Sequence, residues 1–378
     1  MTLRPVTIIR YMATASLIFL FALAAVCSDS RQVSLPKGPY PVGFRVLHEY
    51  DRTRPQLAGS FGETPRQAAR PMQIAVWYPA ATKGKRLTIS DYVRLCATEV
   101  DFEPSAEREH ACIDSFTSRL ESYGSAPAEA RQVLAMRTAA YGNARGVPGR
   151  WPIILFAHAA PASEALISEY LASYGFVVAA VVSKGTSQYA YRLSSADIAT
   201  MTADLGFVLQ ALRQRPEFND DRIAVIGMSN GAFAGVLLHA RDARVTALVS
   251  LDGTIGERAA GRILPEDPNF SARTIRAATL HLYTPDNPYL DFSLLNSLDQ
   301  APRYLVEFKQ MRHWEFLSYA SYVGPAKANQ QGFATVCRMT LSFLEHVLKS
   351  PSGQPWQPPK SAVAEFRFLP PGQSQPDK

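Results

Sequence analysis

The run Arg222-Ile223-Ala224-Val225-Ile226-Gly227-Met228-Ser229-Asn230-Gly231-Ala232-Phe233-Ala234-Gly235 constrains this chain more than any other stretch. Its apolar part, Ile223 to Ile226, stops at a glycine. Small residues follow, then Val236-Leu237-Leu238-His239. That order predicts a buried strand, a tight turn and a helix. Inside the turn lies G-x-S-x-G, with Gly227, Ser229 and Gly231. A serine on so sharp a turn sits on strained backbone, so its close neighbours must lack bulk. Its hydroxyl projects above the sheet. The following N–H groups, that of Asn230 first, point to where negative charge develops on an attacked carbonyl. The five-letter pattern recurs by chance, and the flanking strand and helix give it chemical weight. The bland alternative is a glycine-rich structural turn.

The other apolar runs extend the same plan. Residues 152–157, 176–182, 246–251, 278–283 and 304–308 read as strands. They alternate with helical stretches at 163–173, 194–213 and near 290–298. Phe333, Val336, Cys337, Leu341, Leu344 and Leu348 mark a final amphipathic helix. Continuous apolar strands alternating with helices predict an α/β fold, a mostly parallel central sheet with helices on both faces. Two earlier strands, 44–50 and 72–79, precede residues 83–148, which read as a helical insertion. Its pieces are 90–98, 106–123 and 128–141, the last opened by Pro127. A lid over the site and a remote packing insertion are both open readings. The domain is expected over 38–350, after a polar linker, with a tail at 351–378 rich in Pro, Gln and Ser and expected to be extended or loose.

The chain has 378 residues, 47% hydrophobic and 19% charged, enough for one large domain with an insertion. A net charge of +6 is spread without a basic block, which argues for a solvated surface over nucleic-acid binding. Arg4 and Arg10 precede an apolar stretch from Tyr11 to Val26, and Ala22, Ala24 and Ala25 lie near its end. This is the layout of a secretory signal over 1–27, with an apolar core short for a membrane span. Leu23-Ala24-Ala25-Val26-Cys27 resembles a bacterial lipoprotein box, although Val26 stands where that box prefers a small residue. The expected location is therefore outside the cytoplasm: periplasmic, secreted, or lipid-anchored through Cys27. Export permits a disulfide between Cys96 and Cys112. Cys337, on the apolar face of the last helix, reads as a buried free thiol.

A serine hydroxyl is a weak nucleophile. It needs a base within hydrogen-bond reach and a carboxylate to orient that base. In a strand–elbow–helix setting the chain order is nucleophile, acid, histidine. Of seven histidines, only His281, His313 and His346 follow both Ser229 and an acid. His281 lies inside a strand and His346 on the last helix, where structural roles are the simple account. His313 comes just after the 304–308 strand, in a loop of the kind that meets ligands in open α/β sheets. Asp252 and Asp286 both end strands, either can be a turn residue, and spacing does not choose between them. The second oxyanion donor is expected in the loop Phe156-Ala157-His158-Ala159-Ala160-Pro161-Ala162-Ser163. No His/Cys/Asp cluster has metal-ligand spacing, and no cofactor is expected.

Several pieces together resemble a known family. They are Gly38-Pro39-Tyr40-Pro41-Val42-Gly43, Trp77-Tyr78-Pro79, Phe156-Ala157-His158, Tyr174-Gly175-Phe176-Val177-Val178-Ala179-Ala180, the serine turn and Leu251-Asp252. Their order is similar to that in platelet-activating-factor acetylhydrolase-like esterases, α/β-hydrolases related to dienelactone hydrolases. The resemblance covers most of 38–320 apart from the insertion. It implies an α/β-hydrolase fold and a metal-free serine esterase that removes short acyl groups from a small-molecule ester. It also implies Asp252 as the acid rather than Asp286, and Ala160 as the second oxyanion donor beside Asn230. The chain departs at Ala159, where that family usually carries glycine.

A serine peptidase of the same fold is an alternative enzyme, because a Ser-His-Asp set alone does not separate esters from amides. A third reading is a catalytically inactive α/β-hydrolase that binds a ligand, to which the Ala159 departure gives its only support.

Overall fold

A computed structural model describes residues 33–54, 69–157, 160–182, 193–218, 220–361 and 364–373. The leader with Cys27, and both His158 and Ala159, lie outside these described residues.

The strands are β1 (Val42–Asp51), β2 (Arg70–Pro79), β3 (Lys85–Thr88), β4 (Arg137–Gly142), β5 (Ile153–Ala157), β6 (Val177–Val181), β7 (Ile223–Met228), β8 (Val245–Leu251), β9 (Ala278–Tyr283), β10 (Arg303–Glu307) and β11 (Glu365–Leu369). They form one eleven-stranded sheet in the order β11-β10-β9-β8-β7-β5-β6-β2-β1-β4-β3. From β6 to β10 every neighbouring pair is parallel. The helices are α1 (Ile89–Val93), α2 (Ala106–Ser122), α3 (Pro127–Leu134), α4 (Pro161–Ser173), α5 (Ser195–Arg213), α6 (Gly231–Arg241), α7 (Ala260–Ile263), α8 (Ser293–Ser297), α9 (Tyr319–Tyr322) and α10 (Gln330–Leu344).

Strand alternation divides the core into two layers. Ile154, Phe156, Ala224, Ile226 and Met228 face α4 and α10. Ile153, Leu155, Ile223 and Val225 face α5 and α6. Because β5, β6 and β7 are covered on both faces, their sequences are apolar throughout rather than alternating. The helix starts follow local chemistry: Ser194 Oγ accepts from the Asp197 N–H at 3.2 Å, and Pro161 and Pro127 open α4 and α3. The glycine at 38 answers a close approach. A Cβ there would lie 2.2 Å from the Ser173 carbonyl oxygen, whose next partner is the Tyr40 N–H at 3.1 Å.

Two stretches differ from expectation. The helix expected over 128–141 ends at Leu134, and Arg137–Gly142 is strand β4, parallel to β1 and antiparallel to β3. The tertiary partner decides this. Thr138 and Ala140 turn inward, and the Ala139 N–H is taken by the buried Glu169 carboxylate at 2.7 Å, a bond no helix there would make. The tail is also not loose throughout. Glu365–Leu369 adds antiparallel to β10, with the Phe368 ring stacked 4.9 Å from that of Tyr304.

Candidate active site

The strand β7 delivers Ser229 at its carboxyl end and α6 begins two residues later. Ser229 has φ of +52°, a left-handed conformation that costs a non-glycine residue roughly 1 kcal/mol. Neighbours hold it there. Its N–H donates to the Leu251 carbonyl at 3.1 Å, and its own carbonyl accepts from the Ala232 and Thr254 N–H groups at 3.2 Å each. Gly227 is needed for the turn to close, since a Cβ there would stand 2.4 Å from the Ala232 nitrogen and from the Gly231 carbonyl carbon. Gly231, the first residue of α6, is buried in the same turn.

The second strained residue is Asp252, with φ of +43°, at the end of the neighbouring strand β8. Its N–H donates to Leu282 at 2.7 Å, which fixes its height against β9. The carboxylate is buried and has two acceptor bonds. Oδ1 accepts from the Thr284 N–H at 3.1 Å, and Oδ2 accepts from His313 Nδ1 at 2.6 Å. A carboxylate accepts, so Nδ1 carries the hydrogen and Nε2 is left as the basic nitrogen. Half of the His313 side chain is exposed, while Asp252 is 3% exposed. Asp286 is an exposed residue in the loop after β9.

His313 opens a short 3₁₀ turn, His313–Phe316, after β10. Glu315 anchors that turn. Its buried carboxylate accepts from the Arg312 N–H at 2.5 Å, from the Arg312 guanidinium at 2.8 Å and from the Asn329 N–H at 2.7 Å. A second tie runs to α4. The Ser318 N–H donates to the Ser163 carbonyl at 2.8 Å, and Tyr322 Oη donates to the Ala162 carbonyl at 2.9 Å. The start of α4, which carries Ala160 as its N-cap, is thereby fixed relative to the His313 loop. Asn230 is the N-cap of α6.

Ser229, His313 and Ala160 line one cavity of 530 Å³. The insertion forms much of its wall, through Tyr92, Val93 and Glu99 on one segment and Phe116, Arg119 and Tyr123 on another. Those segments are joined by the Cys96–Cys112 disulfide, whose Cα atoms are 6.1 Å apart and whose residues also line the cavity. Of the two readings of residues 83–148, the geometry favours a wall of this cavity over a remote packing element. Tyr92 is held from behind: its hydroxyl donates to Glu169 at 2.6 Å and accepts from Trp77 Nε1 at 2.9 Å. Burial pushes the Glu169 carboxyl up to about 7, against the opposing pull of its bonds from Tyr92 and Ala139.

The remaining histidines after Ser229 lie elsewhere. His281 is buried in β9, with Nδ1 2.9 Å from Ser250 Oγ, and burial brings it down to about 4. His346 is half-buried near the end of the chain's last helical segment, in a groove with Tyr304 and Phe368. Sequence reasoning passed over Glu315, although Arg312-x-x-Glu315 carries the spacing of a box-capped turn. It also passed over the α2 face made by Cys112, Phe116, Arg119 and Tyr123, whose spacing of 4, 3 and 4 residues marks one side of a helix. Among the described residues no group of three or more His, Cys, Asp or Glu side chains gathers as a metal site.

No protein-family model and no curated protein matches the chain. Solved structures do. One is a ferulic acid esterase from Streptomyces cinnamoneus, with a TM-score of 0.62 and 18% sequence identity, over 90% of this chain and 99% of that one. The chain has an α/β-hydrolase fold. At this identity the likeness concerns the fold, and the chemistry rests on the chain's own residues.

Proposed function

We propose that this protein is an exported serine ester hydrolase acting on a small-molecule ester with a short acyl group. The observation that carries the reading is the 2.6 Å contact between His313 Nδ1 and the buried Asp252 carboxylate, beside the cavity that Ser229 and His313 share. In this reading His313 Nε2 takes the Ser229 hydroxyl proton as Oγ adds to the ester carbonyl. The oxyanion that forms receives the N–H groups of Asn230 and Ala160. His313 then gives the proton to the departing alcohol, leaving an acyl group on Ser229. Water, deprotonated by the same imidazole, releases the acid. Asp252 holds the imidazole in the required tautomer and stabilises its charged form. The left-handed backbone at both Ser229 and Asp252 supports the assignment, since strain of this kind collects at functional sites.

Ester cleavage is preferred over amide cleavage in this reading because the similar solved structure is that of an esterase. Export is supported by the leader-like stretch at 1–27 and by the disulfide in the insertion. The test is the purified mature protein on parallel panels of esters and peptides, with Ser229→Ala as control. Ester turnover that Ser229→Ala abolishes is expected. Turnover of peptides alone moves the chemistry to the peptidase reading, and turnover of neither leaves a binding protein.

A further inference from the structure

We propose that the cavity beside Ser229 takes esters bearing an anionic group, a carboxylate above all, and that Arg119 is the residue that recognises it. This rests on the serine-esterase reading and names its substrate class. Arg119 lies on α2, in the insertion, outside the segments that resemble known esterases, and it lines the same cavity as Ser229 and His313.

The charges around it are accounted for and its own is not. Arg94 pairs with Glu109 at 3.7 Å, Arg108 with Asp101 at 3.0 Å, Lys327 with Glu129 at 3.1 Å, and Arg312 with Glu315 at 2.8 Å. Of the charged groups that line the cavity, Glu99 is engaged in an interaction of its own and His313 is bound to Asp252. Among the described residues, the Arg119 guanidinium has no hydrogen-bond or ion-pair partner. Its field nevertheless reaches the wall: burial lifts the Tyr319 phenol to about 12, and Arg119 pulls against that rise.

The rest of the wall gives that charge its leverage. Arg119 is exposed, and Phe116, Tyr123, Trp314, Leu317 and Tyr319 line the cavity it shares, so that a ligand seated on these apolar walls displaces water from beside the guanidinium. One placed cation among aromatic walls is the usual layout of a pocket that orients a ligand by a single polar group. The planar guanidinium matches a carboxylate in two-point geometry. The scissile ester sits at Ser229, and the anionic group stays on an unreacted arm throughout the reaction.

Two matched substrate pairs test this. One pair puts the charge on the acyl arm, para-nitrophenyl hemisuccinate against its neutral isostere para-nitrophenyl isocaproate. The other puts it on the alcohol arm, para-acetoxybenzoate against para-acetoxybenzamide. The readout is the ratio of kcat/KM, charged over neutral, in wild type, Arg119→Met and Arg119→Lys. In at least one pair, Arg119→Met should lower the ratio by about tenfold, the scale of one charge-assisted contact. Arg119→Lys should restore part of it, and added salt should erode it in wild type. Ratios in both pairs that Arg119→Met leaves unchanged overturn the proposal. If the neutral esters too are inert and Ser229 takes up no fluorophosphonate, the esterase reading has failed first and the substrate class falls with it.

Discussion

The Tyr123 ring, at the end of helix α2, stacks on Trp314, the residue after His313, with ring centroids 4.4 Å apart and planes within 6°. The insertion therefore touches the segment that carries the candidate base. On the other face of Trp314 lies the Arg312 guanidinium, 4.5 Å from the ring centre. An offset-stacked pair of this kind is worth roughly 0.5–1.5 kcal/mol beyond the area it buries. A double-mutant cycle of Tyr123→Ala and Trp314→Ala should give a coupling energy of about 1 kcal/mol in unfolding. Additive losses would show that the contact carries no energy of its own.

Asp252 and Asp286 give opposite expectations. With Asp252→Asn the imidazole loses its orienting carboxylate, and kcat should fall by about 10⁴ with the fold intact. Asp286→Asn alters an exposed loop residue and should change kcat little. Steady-state kinetics on the two variants side by side decide the matter. A dead Asp286→Asn beside a live Asp252→Asn would move the site to the later strand.

Two buried acids make stability depend on pH in one direction. Burial raises the carboxyls of Glu169, to about 7, and of Glu164, whose oxygens have no hydrogen-bond partner among the described residues. The fold therefore favours the protonated forms. The Glu169 contribution is complete below the unfolded value of about 4.3 and is lost as pH rises through about 7. For Glu169 the difference is about 4 kcal/mol. Denaturant unfolding at pH 5 and pH 8 should show a smaller difference in Glu169→Gln than in wild type. An equal difference in both would mean that Glu169 does not titrate between those values.

The Cys96–Cys112 disulfide closes a loop of sequence separation 16 within the cavity wall. In the chain-entropy treatment such a loop contributes about 3 kcal/mol. Reduction, or the double change to alanine, should lower unfolding stability by that order. Two reactive thiols at these positions in unreduced mature protein would contradict the pairing.

Much of the scaffold was legible because its signals are local. Strands β5 and β7 are continuous apolar runs, and the Gly227–Gly231 turn follows one of them directly. What was not legible depends on distant partners. Nothing local in Thr138-Ala139-Ala140-Tyr141 opposes a helix, and its strand state comes from pairing with β1 and from Glu169 receiving the Ala139 N–H. Phe366 and Phe368 alternate as a strand should, but proline-rich neighbours hid them, and Tyr304 supplies the surface they cover. Strand-end spacing alone left Asp252 and Asp286 equal. Their difference is geometric: Asp252 reaches His313 across 61 positions of chain, held by Leu282 on the next strand and by Thr284 just after it. The cavity wall was hidden for the same reason, since Tyr92 and Phe116 meet only after the insertion folds back along its disulfide.

The most direct test of the central claim is to treat the purified mature protein with a fluorophosphonate and map the adduct by mass spectrometry while following ester hydrolysis. The account predicts one adduct, on Ser229, formed in step with the loss of activity, and no adduct in Ser229→Ala. An adduct on another residue, or full esterase activity remaining in Ser229→Ala, would contradict it.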